Sequence, residues 1–113
     1  MADGWLLQLR YVDANNYLGV RWFWGLVYVV QCVNGVETVL STAYYSATDE
    51  DTWYDIYVQL SGTSVILFAC KRSETLKRIE EVTTTLGTTT SRLRLRVNGV
   101  MPFAFDDFRV CSR

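Results

Sequence analysis

Apolar residues in this chain recur at every second position or in short unbroken runs, and scarcely anywhere at the three-to-four-residue spacing of a helix. A pleated strand turns successive side chains to opposite faces, so this period of two constrains the chain to sheet. Trp53–Leu60 shows it most clearly, with Tyr54, Ile56, Val58 and Leu60 on one side and Trp53, Asp55, Tyr57 and Gln59 on the other. Tyr17–Trp24 alternates likewise: Leu18, Val20, Trp22 and Trp24 stand opposite Tyr17, Gly19, Arg21 and Phe23. Leu26–Val33 is apolar on both sides, which suits a strand in the middle of a sheet.

Turn residues cut these runs. Asp13-Ala14-Asn15-Asn16 ends a first strand, Trp5–Val12. Asn34-Gly35, between Val33 and Val36, is the strongest hairpin signal, because both residues tolerate the positive φ of a type I′ turn. It predicts a return strand over Val36–Thr42, followed by an acidic loop at Ser46–Asp51. Ser61-Gly62-Thr63 turns Trp53–Leu60 back into Ser64–Lys71. Ser73–Glu81 contains helix formers (Glu74, Leu76, Lys77, Glu80, Glu81) but is expected to be an exposed, irregular strand or loop. A threonine-rich connection, Thr83–Thr90, leads to a strand over Arg92–Val97 and a turn at Asn98-Gly99. In the last strand, Phe103–Cys111, the pair Phe103 and Phe105 is out of phase with Phe108 and Val110. A β-bulge at Asp106-Asp107 would restore one apolar face. The expectation is an all-β fold of about nine strands, an antiparallel two-sheet β-sandwich of the jelly-roll kind. One domain fills residues 1–113, a length that suits a single core.

Composition narrows the chemistry. Half the residues are hydrophobic and the formal net charge is −1, so the chain can bury a core and nothing calls for nucleic acid as partner. The chain has no histidine, which removes the commonest general base and metal ligand. Cys32, Cys70 and Cys111 show no Cys-x-x-Cys spacing, and each sits in an apolar run, as buried free thiols do. Cys111, close to the C-terminus, is the candidate for an exposed or intermolecular thiol. No run is long enough for a membrane-spanning helix, and Met1-Ala2-Asp3-Gly4-Trp5 carries no signal-peptide features. The expectation is either a protein made in the cytoplasm, without membrane insertion, or a mature or excised piece; a virion protein, made in the cytoplasm and facing the outside, or another extracellular setting fits too.

Several of these segments resemble a known family. Trp53-Tyr54-x-Ile56-x-Val58, a glycine turn, an apolar strand, then Arg94-Leu95-Arg96-Val97-Asn98-Gly99 and Ala104-Phe105-Asp106-Asp107-Phe108-Arg109-Val110 look like the C-terminal half of concanavalin A-like lectin/glucanase domains, which include laminin G-like modules. Asp13-Ala14-Asn15-Asn16-Tyr17 is similar to the segment that precedes it there. The resemblance implies a jelly roll that binds carbohydrates or proteins. It also implies that the usual N-terminal strands are missing, so that either the sandwich is reduced or another chain completes it; the open edge this leaves predicts a homo-oligomer or incorporation in a larger assembly. Members that cleave glycans carry a Glu-x-Asp-x-(x)-Glu cluster on one strand, and this chain has none, so no enzyme activity is expected.

Two functions remain. One is a non-catalytic lectin-like binding module for a glycan or protein surface, with Trp22, Trp24, Trp53 and Tyr57 as the stacking rings. The other is a virion structural protein, a capsid decoration, fibre or tail component, whose aromatics are buried between subunits. The row Arg92, Arg94 and Arg96 is either the solvent face of an outer strand or a docking stripe for an anionic partner. No cofactor is expected. The resemblance offers a structural Ca²⁺ at Asp106 and Asp107, but calcium needs several more oxygen ligands. A bulge whose carboxylates cap amides or pair with Arg109 is preferred.

Overall fold

The computed structural model describes residues 4–49, 52–86 and 94–98, the last four of these by backbone alone. It contains β1 (Gly4–Asp13), β2 (Asn16–Phe23), β3 (Leu26–Val33), β4 (Val36–Val39), β5 (Tyr45–Ser46), β6 (Tyr54–Ser61), β7 (Ser64–Lys71), β8 (Lys77–Thr83) and β9 (Arg94–Asn98). No helix occurs among the described residues. All pairings are antiparallel. One sheet runs β4-β3-β2-β1-β9, with β5 paired to β3, and a three-stranded sheet runs β6-β7-β8. The all-β expectation is met in these two sheets, and β3 lies inside the larger one, as its two apolar faces require. The expected last strand, Phe103–Cys111, lies outside the described residues.

Tight turns fix the register. Asn34 and Gly35 have φ of 51° and 82°, the two left-handed residues of a type I′ turn. The β2–β3 connection has the same form, with φ of 53° at Trp24 and 77° at Gly25, between the paired residues Phe23 and Leu26. This corrects the strand expected over Tyr17–Trp24: Trp24 belongs to the turn and does not share a strand face with Leu18, Val20 and Trp22. A Cβ on Gly25 would lie 2.3 Å from Thr48 Cγ2, so close approach also selects glycine there.

β4 stops earlier than the alternation suggested. The amides of Leu40 and Ser41 both donate to the Val29 carbonyl, and the Val29 amide donates to Ser41 Oγ at 3.0 Å. The buried Ser41 hydroxyl substitutes for the next ladder bond and frees the chain to leave the sheet. The competing helix in Ser73–Glu81 does not form. Instead β8 carries a bulge: the register passes from Leu67↔Glu80 to Phe68↔Arg78, and Ile79 is the extra residue. A second irregularity, in β1, falls between Leu9 and Asp13, where Arg10 has φ of 46°.

Both sheets contribute to one apolar cluster. Leu9, Leu18, Val20, Val27 and Val29 from the larger sheet join Val65, Leu67 and Val82 from the smaller, with Ala47 from the connection. The alternating residues Tyr54, Ile56, Val58 and Leu60 pack against it from β6. The opposite face of the larger sheet holds a second cluster of Leu6, Tyr17, Val30 and Cys32. Gly19 lies against this cluster, where an added Cβ would meet Leu6 Cδ1 at 2.8 Å and Val30 Cγ2 at 3.1 Å. Cys32 and Cys70 are buried free thiols, and Cys111 lies outside the described residues.

Leu18 and Leu67 are both fully buried in the shared cluster, one from each sheet. Replacing either with alanine is expected to destabilise the protein by about 2–5 kcal/mol. In urea unfolding of the single and double variants, the losses should fail to add by roughly 0.5 kcal/mol or more. Strict additivity would show that the two sheets do not couple through these side chains.

Candidate binding surface

The β2–β3 turn, the segment after β5 and the start of β6 meet at one end of the molecule. Pairing of β5 with Leu26 and Val27 lays the following residues beside the turn, where the Ala47 amide donates to the Gly25 carbonyl at 2.6 Å. From there the Asp49 amide donates to Tyr54 Oη at 3.0 Å, and Asp49 forms an ion pair with Lys71. The Arg72 amide donates to the Trp53 carbonyl at 2.9 Å. These contacts tie the Gly25 carbonyl to the segment that leads into β6, and two exposed indoles flank them in sequence, Trp24 before Gly25 and Trp53 before Tyr54.

The two rings differ in what holds them. Trp24 is 73% exposed and meets Phe23 edge to face at a centroid distance of 6.0 Å. Phe23 and Leu26, on either side of the turn, are exposed as well. The Arg72 guanidinium lies 5.2 Å from the Trp53 ring centroid and pairs with Asp55 at 3.3 Å. A cation seated on the ring and tied to a carboxylate restrains Trp53 in place.

The other two rings named from the sequence stand elsewhere. Trp22 packs against the shared core and donates from Nε1 to the Ala47 carbonyl at 3.1 Å, so it supports the segment beneath the turn. Tyr57 projects from β6 on the face away from the core and packs edge to face on Phe68 at 5.5 Å. Of the arginine row, Arg94 is exposed on β9, where its Nη1 donates to Tyr11 Oη at 3.0 Å and its guanidinium lies 5.5 Å from that ring. Arg96 is described by its backbone, which pairs with Leu6. Arg92, Asp106 and Asp107 lie outside the described residues.

Sequence reasoning missed Tyr17, Arg21 and Glu37, which form a network on the other face of the larger sheet. Tyr17 Oη and Arg21 Nη2 both donate to Glu37 Oε1, at 3.1 and 2.6 Å. Burial, and after it the Glu37 charge, push the Tyr17 phenol up to about 12. Alternation did place Tyr17 and Arg21 on one face, but Glu37 joins them only through the β2–β3–β4 register.

Several of the described carboxylates are engaged in local structure. Asp13 Oδ1 accepts from the Asn15 amide and the Asn16 side chain. Glu81 accepts from Ser64 Oγ and pairs with Arg78. Glu80 accepts from the Thr42 hydroxyl and from the Thr42 and Ala43 amides, tying the chain after β4 to β8. Among the described residues, no group of three or more His, Cys, Asp or Glu side chains could hold a metal ion. Comparison with family models, curated proteins and solved structures finds no match.

The Thr42 hydroxyl, then the Ala43 amide, hold Glu80 below the ordinary glutamate value of 4.5. A carboxylate depressed in the folded state stabilises the fold above its unfolded value, and that stabilisation is lost as pH falls through the folded value. The urea midpoint is therefore expected to fall as pH drops below 4.5. Glu80→Gln should lower the midpoint at neutral pH and flatten its acid dependence. An unchanged acid slope in the variant would remove Glu80 as the cause.

Proposed function

We propose that this chain is a non-catalytic, lectin-like binding module, a jelly-roll sandwich that presents Trp24 and Trp53 to a glycan or protein surface. The observation that carries the reading is Trp24. A type I′ turn asks for Asn, Asp or Gly at its first central position, because a bulky side chain at φ of 53° is strained. The strain is worth about 1–2 kcal/mol. This position nonetheless holds the bulkiest side chain, 73% exposed, where it adds little to the core. A residue that is unfavourable for the fold and open to solvent fits selection for contact with something outside the fold.

Trp53 supports the same reading. Its ring is restrained before any ligand arrives, so stacking on it loses little side-chain entropy. The carboxylates tied into turns and ion pairs support the non-catalytic part of the proposal. The hydrophobic cluster shared by the two sheets supports the sandwich, and the resemblance to concanavalin A-like domains suggests a glycan or protein as ligand.

A glycan array probed with the labelled full-length chain tests the reading. Trp24→Asn should be more stable than the parent by about 1 kcal/mol in urea unfolding, because asparagine accepts the turn geometry. The same variant should bind array hits about tenfold or more weakly, the loss expected when a stacked ring is removed. Trp53→Ala should weaken the same hits. A Trp24→Asn variant that keeps full affinity would end the proposed role of this turn.

A further inference from the structure

We propose that β6 is a self-association edge, at which the β6 strand of a second copy adds antiparallel across a twofold axis through Tyr57. The proposal concerns a different surface from the Trp24 turn and stands whichever ligand that turn takes. It begins from how the sheet edges are protected. An open strand edge templates pairing unless it is short, bulged, charged or covered. β4 has only four residues. β8 carries the Ile79 bulge together with exposed Lys77, Arg78 and Glu81. Among the described residues, β6 has none of these devices. It runs eight residues in unbroken register from Tyr54↔Lys71 to Ser61↔Ser64, without proline or lysine. Its one charged residue, Asp55, pairs with Arg72. Among the described residues its only strand partner is β7.

Burial points the same way. On β7 the core-facing Val65, Leu67 and Ala69 are fully buried. Their counterparts on β6, Ile56, Val58 and Leu60, pack on the same core yet remain partly exposed. A strand added outside β6 would complete their burial.

The sequence of β6 suits a second copy of itself. The two-residue Gly62-Thr63 turn makes Ser61↔Ser64 a hydrogen-bonded pair. Alternation from there turns the backbone N–H and C=O groups of Tyr54, Ile56, Val58 and Leu60 to the outer edge. In an antiparallel pair centred on Tyr57, Ile56 stands across from the partner's Val58 and Tyr54 across from the partner's Leu60. Asp55 faces the partner's Gln59, so no like charges meet. Tyr57, 45% exposed, faces the partner's Tyr57 at a site where side chains approach closely and aromatic pairs stabilise. The interface is isologous, so it closes at a dimer.

Sedimentation equilibrium of the full chain should show a dimer. Tyr57→Lys and Tyr57→Glu each place like charges across the axis, and each should weaken dimerisation about tenfold or more. An equimolar mixture of the two should recover a dimer, because opposite charges then meet. Without any variant, the Ile56 and Val58 amides should exchange more slowly with deuterium as concentration rises into the dimer range. A parent protein that stays monomeric, an oligomer that survives unchanged in either variant, a mixture that stays monomeric, or exchange independent of concentration would each overturn the proposal. Trp24→Asn should leave the dimer intact, which separates failure of this interface from failure of the ligand reading.

Discussion

The packing of Val65, Leu67 and Val82 against Leu9, Leu18, Val20, Val27 and Val29 is the interaction on which the other features depend. Leu18, Val20, Val27, Val29, Val65 and Leu67 are fully enclosed, and burying each such side chain is worth about 1.5–3 kcal/mol. Among the described residues the smaller sheet has three strands, and its apolar face must be buried against something else. That cluster supplies the cover. It also sets which residues of β6 face outward, because once Tyr54, Ile56, Val58 and Leu60 pack inward, the alternation turns Tyr57 the other way.

The segment between β5 and β6 converts this packing into a surface. It is held at Gly25 by the Ala47 amide, at Trp22 Nε1 by the Ala47 carbonyl, at Tyr54 by the Asp49 amide and at Lys71 by the Asp49 carboxylate. Main-chain groups supply three of these four contacts, so they depend on where the strands lie more than on which side chains the segment carries. The consequence is that the backbone of the β2–β3 turn that carries Trp24, on the larger sheet, is tied through this segment to Tyr54, the residue after Trp53, beside the smaller.

Much of the strand layout was legible because a period of two is a local property. Val33-Asn34-Gly35-Val36 reads as a hairpin from its own four residues, and Trp53–Leu60 shows its two faces without reference to any other strand. What local reading missed was set by partners distant in sequence. Trp24 extends an alternation that is good up to Trp22, and only the Phe23↔Leu26 pairing shows that the ladder has ended. The β8 bulge is invisible in Lys77–Thr83 alone, because it arises where both Ile79 and Val82 must reach one core. The Tyr17–Arg21–Glu37 network was out of reach for the same reason, since its members meet across three strands.

Trp24 and β6 share a logic. Each departs from what stability or solubility alone would select: a bulky ring where the turn asks for a small residue, and an unguarded eight-residue edge where the other long edge is bulged and charged. The chain shows that it can follow the local rule, since Asn34-Gly35 fills a turn of the same type in the ordinary way and β8 is defended as edges usually are. The departures are therefore selective, and both leave apolar surface open to solvent. Trp24 stands at the end of the molecule, whereas β6 offers its contact sideways along the smaller sheet. If copies joined through β6, the pair would carry two copies of Trp24 on one frame. A module with a weak single site would then gain affinity for any surface that repeats its ligand, because the second contact forms at a high effective concentration.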